Sequence, residues 1–353
     1  MSAAFRRGCS PTATAPAGFF GKRTVYGKGR VWLYRPRNGR RYARIDKENL
    51  PFYNERTGFP WEPARKGESI MKKEIITVPV QLESVKLLTD VTYAQPASWF
   101  DQSFRPLKMD LLMPKHGQGH APLPLIVWIC GGGFVTMDKD IWVPEMIEYA
   151  RRGFVVASIE YRTSNEAPFP AQIQDVKAAI RYLRAHAAMF CIDPDRVAVM
   201  GESAGGHLAS MAGVTGNIRD YDVGEYLQES SAVQAVVDIY GVVDVLSASS
   251  QPEPSYMTML LGAPAETVPE KAREASPLYW VDAHTPPFMI LHGTEDDMVN
   301  PEQSDRLARA LEENGVPCTY VVLQGAHHGD DAFYQAEVKE RVVKFLHSVW
   351  GEK

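Results

Sequence analysis

The chain has 353 residues, of which 45% are hydrophobic and 23% are charged, and its formal net charge is -5. This composition is ordinary for a globular protein, and the length allows one large α/β domain or two smaller ones. It excludes a membrane-spanning helix, because no stretch approaches the roughly 20 apolar residues that such a helix needs.

The first 70 residues differ from the rest of the chain in charge. They hold 15 Lys/Arg and 5 Asp/Glu, whereas the remaining residues hold 23 and 38. A basic arm for nucleic acid or a membrane surface, or a transit peptide, would produce such a split. We favour a translated leader, because residues 71–74 (MKKE) read like a bacterial protein start and residues 66–68 (KGE) can be encoded as the ribosome-binding sequence AAGGAG. The hypothesis assigns 1–70 to a basic extension, disordered or translated only as a leader, and 71–353 to the working domain.

The N-terminus and the cysteines indicate the compartment. The first 20 residues lack a sustained apolar core, which argues against a secretory signal. The four cysteines, Cys9, Cys130, Cys191 and Cys318, show neither metal-ligand spacing nor a dense disulfide framework. We therefore expect reduced thiols in a cytoplasmic protein.

From residue 71 onward, short apolar runs alternate with longer amphipathic segments. The runs predict strands at 108–114, 123–129, 154–161, 196–201, 233–241, 287–293 and 318–325. Helical spacing predicts helices within 171–190, 301–315 and 332–350. The alternation implies a mostly parallel sheet with helices on both faces. The interval 215–285 breaks this rhythm, and we interpret part of it as an insertion over the carboxyl edge of the sheet.

Three consecutive glycines, 131–133, follow the strand at 123–129. Because glycine costs conformational entropy, such a run indicates that something approaches the backbone too closely for side chains. A phosphate-cradling loop is one interpretation, but no lysine follows as in a P-loop and the G-x-G-x-x-G spacing is absent.

The stretch 201–205, Gly-Glu-Ser-Ala-Gly, lies between the strand at 196–201 and helix-compatible residues. In that context G-x-S-x-G is typical of a nucleophile elbow, with Ser203 on a tight strained turn. The residues two positions either side of it must be small for steric reasons. The hydroxyl would stand at the amino end of a helix, whose dipole favours a developing negative charge.

A serine nucleophile needs a base, which in the chain order Ser, acid, His lies downstream. His327 and His328 follow the last predicted strand, on the same sheet edge as the elbow. The acid is expected one strand earlier, among the three acidic residues 295–297. The residues alone leave open which histidine and which acid would act.

Five segments together resemble the α/β-hydrolase superfamily. They are CGGGF at 130–134, the stretch 159–184, GESAGGHLA at 201–209, HGTEDDMVN at 292–300 and GAHHG at 325–329. Within the superfamily they look most like serine esterases of the hormone-sensitive-lipase type and the bacterial acetyl and feruloyl esterase (BD-FAE-like) branch. The resemblance covers roughly 108–350 and implies an α/β-hydrolase fold for the catalytic domain 71–353.

The resemblance also implies the roles of the site residues. Aligned with the family motifs, Asp296 and His328 complete a catalytic triad with Ser203, and Asp297 and His327 are the second choices. The oxyanion hole would consist of the backbone N–H groups of Gly132, Gly133 and Ala204. Such a hydrolase needs no metal and no organic cofactor.

Two residues depart from the family pattern. Cys130 replaces the histidine that precedes the glycines, so the hydrogen bond by which that histidine orders the loop is weakened or replaced. Catalysis should survive, because the donors are backbone groups, and a thiol that ends an apolar strand is usually just buried. Glu202 stands where hormone-sensitive-lipase relatives commonly have Asp, which favours the acetyl and feruloyl esterase branch. Asp175 precedes the serine, and we assign it to holding a loop through Arg162.

The expected function is a serine carboxylesterase acting on small-to-medium acyl esters, with acetyl or feruloyl esters of carbohydrates as a plausible class. A serine peptidase or amidase, prolyl-oligopeptidase-like or aryl-formamidase-like, is the alternative, and a non-catalytic binding protein is a third. The expected partner is a small-molecule ester, with no nucleic acid and no membrane. The sequence predicts no oligomeric state. In the 215–285 insertion, two interpretations are open for Tyr256, Met257, Met259, Leu260 and Leu261: they line an acyl pocket, or they belong to the hydrophobic core, which we favour.

Overall fold

A computed structural model describes the chain in separate ranges. These are 73–79, 84–98, 103–115, 121–248 and 255–351, together with three short strands nearer the N-terminus. The chain divides into two compact units, Met1–Val78 and Pro79–Lys353. In the first unit the strands form an antiparallel sheet of order β1-β2-β3: β1 (Thr24–Gly27), β2 (Arg30–Leu33) and β3 (Ala43–Ile45). Most of 1–70, Cys9 included, lies outside the described residues, and the leader hypothesis stays a prediction.

The larger unit contains an eight-stranded sheet of order β13-β12-β11-β10-β8-β9-β7-β4. Its strands are β4 (Val85–Ala94), β7 (Leu107–Pro114), β8 (Leu123–Ile129), β9 (Val155–Ile159), β10 (Ile192–Glu202), β11 (Ala235–Ile239), β12 (Phe288–Gly293) and β13 (Cys318–Leu323). A separate two-stranded ladder joins β5 (Ala97–Ser98) and β6 (Ser103–Phe104). Within the eight-stranded sheet, β7 pairs antiparallel with β4 and β9, and the other pairs are parallel. The predicted mostly parallel sheet and its seven predicted strands are confirmed.

Strand β4 was not predicted from the sequence. It lies at the edge of the sheet, and most of its residues are at least partly exposed, so it has no continuous apolar run. Its register with β7 shifts between Leu88 and Val91. Asp90 lies in this irregularity with φ of 58°, and its N–H donates to Oδ1 of Asp110 at 2.9 Å. A bulged edge strand of this kind carries a weak sequence signal.

Helices cover both faces of the sheet. They are α1 (Val143–Arg151), α2 (Ala171–Ala185), α3 (Ala187–Phe190), α4 (Ala204–Val214), α5 (Val245–Ala248), α6 (Tyr256–Leu261), α7 (Pro269–Glu274), α8 (Glu302–Glu313) and α9 (Ala336–Val349). Alternate residues of β8 enter two different cores: Val127 packs with residues of α2, α4 and α8, and Trp128 with residues of α1 and α9. Burial on both faces explains why the central strands read as continuous apolar runs.

The 215–285 interval contains β11 and three short helices, α5 to α7. Helix α6 begins at Tyr256, after a capping Ser255 whose hydroxyl accepts from the N–H of Thr258, and ends at Gly262 with φ of 76°. Tyr256 and Met257 border the cavity that contains Ser203. Part of the interval therefore lies at the carboxyl edge of the sheet, where parallel α/β folds bind ligands.

Candidate active site

Ser203 occupies the turn between β10 and α4. Its φ and ψ are 56° and -120°, a conformation that non-glycine residues rarely adopt. The turn is held by backbone hydrogen bonds: the N–H of Ser203 donates to the carbonyl of Ile239 at 2.9 Å, and its carbonyl accepts from His207 at 3.0 Å. The strained turn projects the hydroxyl into a cavity, where a substrate can reach it.

The two elbow glycines are required because the turn packs directly against Ile129, the last residue of β8. A Cβ on Gly201 would lie 2.7 Å from the carbonyl oxygen of Ile129, and one on Gly205 would collide with that same oxygen. Both contacts would be closer than Cβ atoms approach other atoms in real structures. This geometry gives the physical reason for small residues two positions either side of Ser203.

The loop after β13 brings an imidazole to the serine hydroxyl. Nε2 of His328 lies 2.9 Å from Oγ of Ser203, and its Nδ1 lies 2.8 Å from Oδ2 of Asp296. An ionised carboxylate only accepts hydrogen bonds, so Nδ1 carries the proton and Nε2 is left to accept from the hydroxyl. The neighbouring His327 is exposed, and Asp297 borders the cavity. The structure thus brings Asp296 and His328, rather than their neighbours, into line with Ser203.

Asp296 is fixed from several sides. Its Oδ1 accepts the N–H groups of Met298 and Val299 at 3.0 and 2.9 Å, and Nε2 of His292 lies 3.3 Å from its Oδ2. Burial by itself would raise the pKa of Asp296, but the hydrogen bonds from His292, His328 and the Val299 N–H outweigh it and hold the pKa well below its usual range. The carboxylate is therefore charged at neutral pH.

His292 is a supporting residue that the sequence analysis did not single out. It is fully buried, its Nδ1 lies 2.6 Å from the Ser304 hydroxyl, and its Nε2 donates to the carbonyl of Val299 at 3.0 Å. Its signal in the sequence is the four-residue spacing to Asp296 at the end of β12. Such a histidine orients the acid rather than touching a substrate.

The glycine loop follows β8 and borders the same cavity. Gly132 and Gly133 have φ of 124° and 60°, which side-chain-bearing residues adopt only with strain. The carbonyl of Gly132 accepts the N–H groups of Val135 and Thr136 at 3.1 Å, closing a tight turn. A Cβ on Gly133 would lie 2.9 Å from Cδ1 of Tyr256. The backbone of Gly132 and Gly133 thus faces the cavity without side chains in the way, as does the start of α4 at Ala204.

The cavity around Ser203 has a volume of about 680 Å³. Its apolar wall includes Val242, Met257 and Val299, and its polar edge includes Glu202, Thr136 and Asp297. Of the predicted pocket residues, Tyr256 and Met257 line the cavity. The other three do not line it: Leu260 and Leu261 are buried in the core, the alternative that the sequence analysis favoured, and Met259 lies outside the lining. Successive residues of a helix point in different directions, so the apolar residues of α6 cannot all face the cavity.

Three residues near the site, Cys130, Tyr161 and Asp175, make contacts that stabilise the surrounding loops and do not point to a catalytic role. Burial raises the pKa of the Cys130 thiol to about 12, so it is protonated and unsuited to nucleophilic attack. The Tyr161 hydroxyl donates to the Cys130 carbonyl at 3.0 Å. Asp175 accepts hydrogen bonds from the backbone N–H and the guanidinium of Arg162 at 2.8–3.1 Å, as predicted. Within the described ranges, no group of three His, Cys, Asp or Glu side chains is placed to hold a metal ion.

Comparisons with known proteins agree with this fold. The BD-FAE family model matches residues 109–311. Two esterases of Mycobacterium tuberculosis are similar in sequence: LipQ, 32% identical over 65% of this chain and 56% of its own, and LipC, 34% identical over 60% and 54%. The chain thus spans little more than half the length of these relatives. A solved structure described as a truncated form of carbohydrate esterase from gut microbiota aligns with a TM-score of 0.66 and 29% identity, over 76% of this chain and 96% of its own.

In the part of the chain that the structure describes, no helix has the length and apolar character for a membrane crossing.

Proposed function

Since the chain belongs to the BD-FAE family, we propose that it is a serine carboxylesterase that hydrolyses small-to-medium acyl esters through an acyl-enzyme on Ser203. The observation that carries the proposal is the line of contacts from Ser203 to His328 to Asp296, at 2.9 and 2.8 Å. These distances fall within hydrogen-bond reach, as proton transfer from a nucleophile to its base requires. The named esterase relatives support the same activity.

In the proposed mechanism, Oγ of Ser203 attacks the ester carbonyl while Nε2 of His328 takes its proton. Asp296 keeps the proton of Nδ1 in place and stabilises the imidazolium that forms. The imidazolium then gives its proton to the departing alcohol, which leaves an acyl group on Ser203. A water molecule, deprotonated by the same imidazole, releases the acid and restores the serine.

The oxyanion of each tetrahedral intermediate would be held by the N–H groups of Gly132, Gly133 and Ala204. Donors that are already in place stabilise this charge without reorganisation, which is usually the largest single contribution to catalysis. Ala204 is the first residue of α4, so the positive end of the helix dipole acts in the same direction.

The cavity supports an acyl group larger than acetyl as well as acetyl itself. A volume of about 680 Å³ lies within the range of small-molecule sites, and the apolar wall suits the hydrocarbon part of an ester. The likeness to a carbohydrate esterase supports acetyl or feruloyl esters of carbohydrates as the natural class. A cytoplasmic location, inferred from the cysteines, belongs to the same proposal.

A substrate panel tests the proposed reaction against its alternative. Purified protein is assayed with p-nitrophenyl acetate, butyrate and octanoate, with methyl ferulate, and with aminoacyl p-nitroanilides. We expect turnover of the esters, with the short and medium acyl chains preferred, and little or none of the anilides. Turnover of anilides alone would replace the esterase proposal by an amidase or peptidase, and no turnover of any substrate would favour a binding protein.

A further inference from the structure

A second buried carboxyl lies beside the nucleophile and has no part in the mechanism above. Glu202 precedes Ser203 and is 9% exposed. Its Oε1 accepts the backbone N–H of Gly131 at 2.5 Å and the indole N–H of Trp142 at 3.3 Å. A buried carboxyl with two donors aimed at one oxygen is a built contact rather than a solvated side chain.

The contacts of Glu202 extend to the histidine loop. The Tyr334 ring stacks on Trp142, which donates to Glu202, with centroids 4.2 Å apart, and the Tyr334 hydroxyl lies 3.4 Å from the Tyr240 hydroxyl. The Tyr240 ring also lies 4.5 Å from the ring of His328. Burial raises the pKa of Glu202, although the hydrogen bonds from the Gly131 N–H and the Trp142 indole favour its ionised form. The network connects the glycine loop, the nucleophile and the base.

The glycine loop needs such an external contact. Three consecutive glycines have no side chains with which to fix their own conformation, and each loses more backbone freedom on ordering than other residues do. The thiol of Cys130, a weak donor, contacts the carbonyl of Gly131 at 3.5 Å. Gly131 itself lies directly against the carboxyl, because a Cβ there would lie 2.7 and 2.8 Å from the two oxygens of Glu202. The carboxyl is thus the strong polar partner at the start of the loop.

We propose that Glu202 is a positioning residue for the oxyanion hole: its carboxyl holds the N–H of Gly131, so that the next two amides, of Gly132 and Gly133, face the substrate oxygen. The inference rests on the proposed esterase function. Glu202 acts through the loop and not on the reacting atoms.

Three variants test this role. Glu202→Ala removes the acceptor, Glu202→Asp shortens the side chain by one methylene, and Glu202→Gln keeps an acceptor oxygen at the same reach without the charge. For p-nitrophenyl butyrate we expect kcat to fall about 10- to 100-fold in the Ala and Asp variants, with KM within about twofold, because a misplaced donor weakens transition-state binding only. The Gln variant should recover kcat to within about fivefold of the unmodified protein.

A transition-state analogue gives the second readout. A trifluoromethyl ketone adds to Ser203 as a hemiketal whose oxygen occupies the oxyanion hole, so its inhibition constant should rise by the same factor as kcat falls. Full kcat in Glu202→Ala, or a Gln variant as impaired as a folded Ala variant, would overturn the proposal; the second result would assign the effect to charge. If the Ala variant does not fold, the Gln and Asp variants are compared instead. A higher kcat in Gln than in Asp supports the proposal, and equal losses overturn it. Failure of the unmodified protein to hydrolyse any ester would instead count against the proposed function.

Discussion

Ser203→Ala is expected to lower kcat for a p-nitrophenyl ester by at least about 10⁴-fold, because it removes the hydroxyl that carries the acyl group in the proposed mechanism. The chain should remain folded. Alanine keeps the Cβ that the strained turn already accommodates at φ of 56°, and the backbone hydrogen bonds to Ile239 and His207 do not involve the hydroxyl. Steady-state kinetics give the rate, and circular dichroism with thermal unfolding checks the fold.

A matched serine variant controls for the loss of a hydroxyl elsewhere. The Oγ of Ser164 is buried and has no hydrogen-bond partner among the described residues, so Ser164→Ala should keep kcat within about twofold. Residual activity in Ser203→Ala above a hundredth of that of the unmodified protein would contradict the assigned nucleophile.

Asp296→Asn is the second large effect we expect, with kcat lowered by about 10⁴-fold and KM little changed. An amide can present its NH₂ to Nδ1 of His328, which then holds the imidazole in the tautomer whose Nε2 carries a proton and cannot accept one from Ser203. Asparagine also removes the negative charge that stabilises the imidazolium. The low pKa of Asp296 means that this charge is present throughout the neutral pH range in the unmodified protein.

The adjacent acid provides the control. Asp297 has the same chemistry one residue away and borders the cavity, but His328 contacts Asp296. Asp297→Asn should therefore retain kcat within about threefold. If the two variants lose activity equally, or if Asp297→Asn loses more, the assignment of Asp296 as the acid of the triad is wrong.

The sequence predicted the sheet because of how its strands are buried. Residues such as Val127 and Trp128 enter different cores, so the central strands are apolar at every position and stand out from their surroundings. Strand β4 is neither buried on both faces nor apolar at every position. It is half-exposed, lies at an edge and is bulged near Asp90. A local pattern cannot identify such a strand, since it is fixed by pairing with β7.

The site could be predicted only to the level of the loops. Three acids in a row and two adjacent histidines have the same local context, and the choice of Asp296 and His328 came from family motifs. In the structure this choice depends on long-range geometry, namely the contacts of His328 with Asp296 and with Ser203, which lie 32 and 125 residues away along the chain. The partners of Glu202 were likewise hidden, because Gly131 and Trp142 lie far away along the chain.

Covalent labelling tests the central claim, nucleophilic attack by Ser203, most directly. An alkyl p-nitrophenyl phosphonate is attacked by the activated hydroxyl, releases p-nitrophenolate and leaves a stable phosphonyl ester on the oxygen. We predict one adduct per chain, mapped by peptide mass spectrometry to the peptide that contains Ser203, with esterase activity lost in proportion to labelling. An adduct on another residue such as Cys130, or ester hydrolysis that persists when Ser203 is fully labelled, would contradict this account.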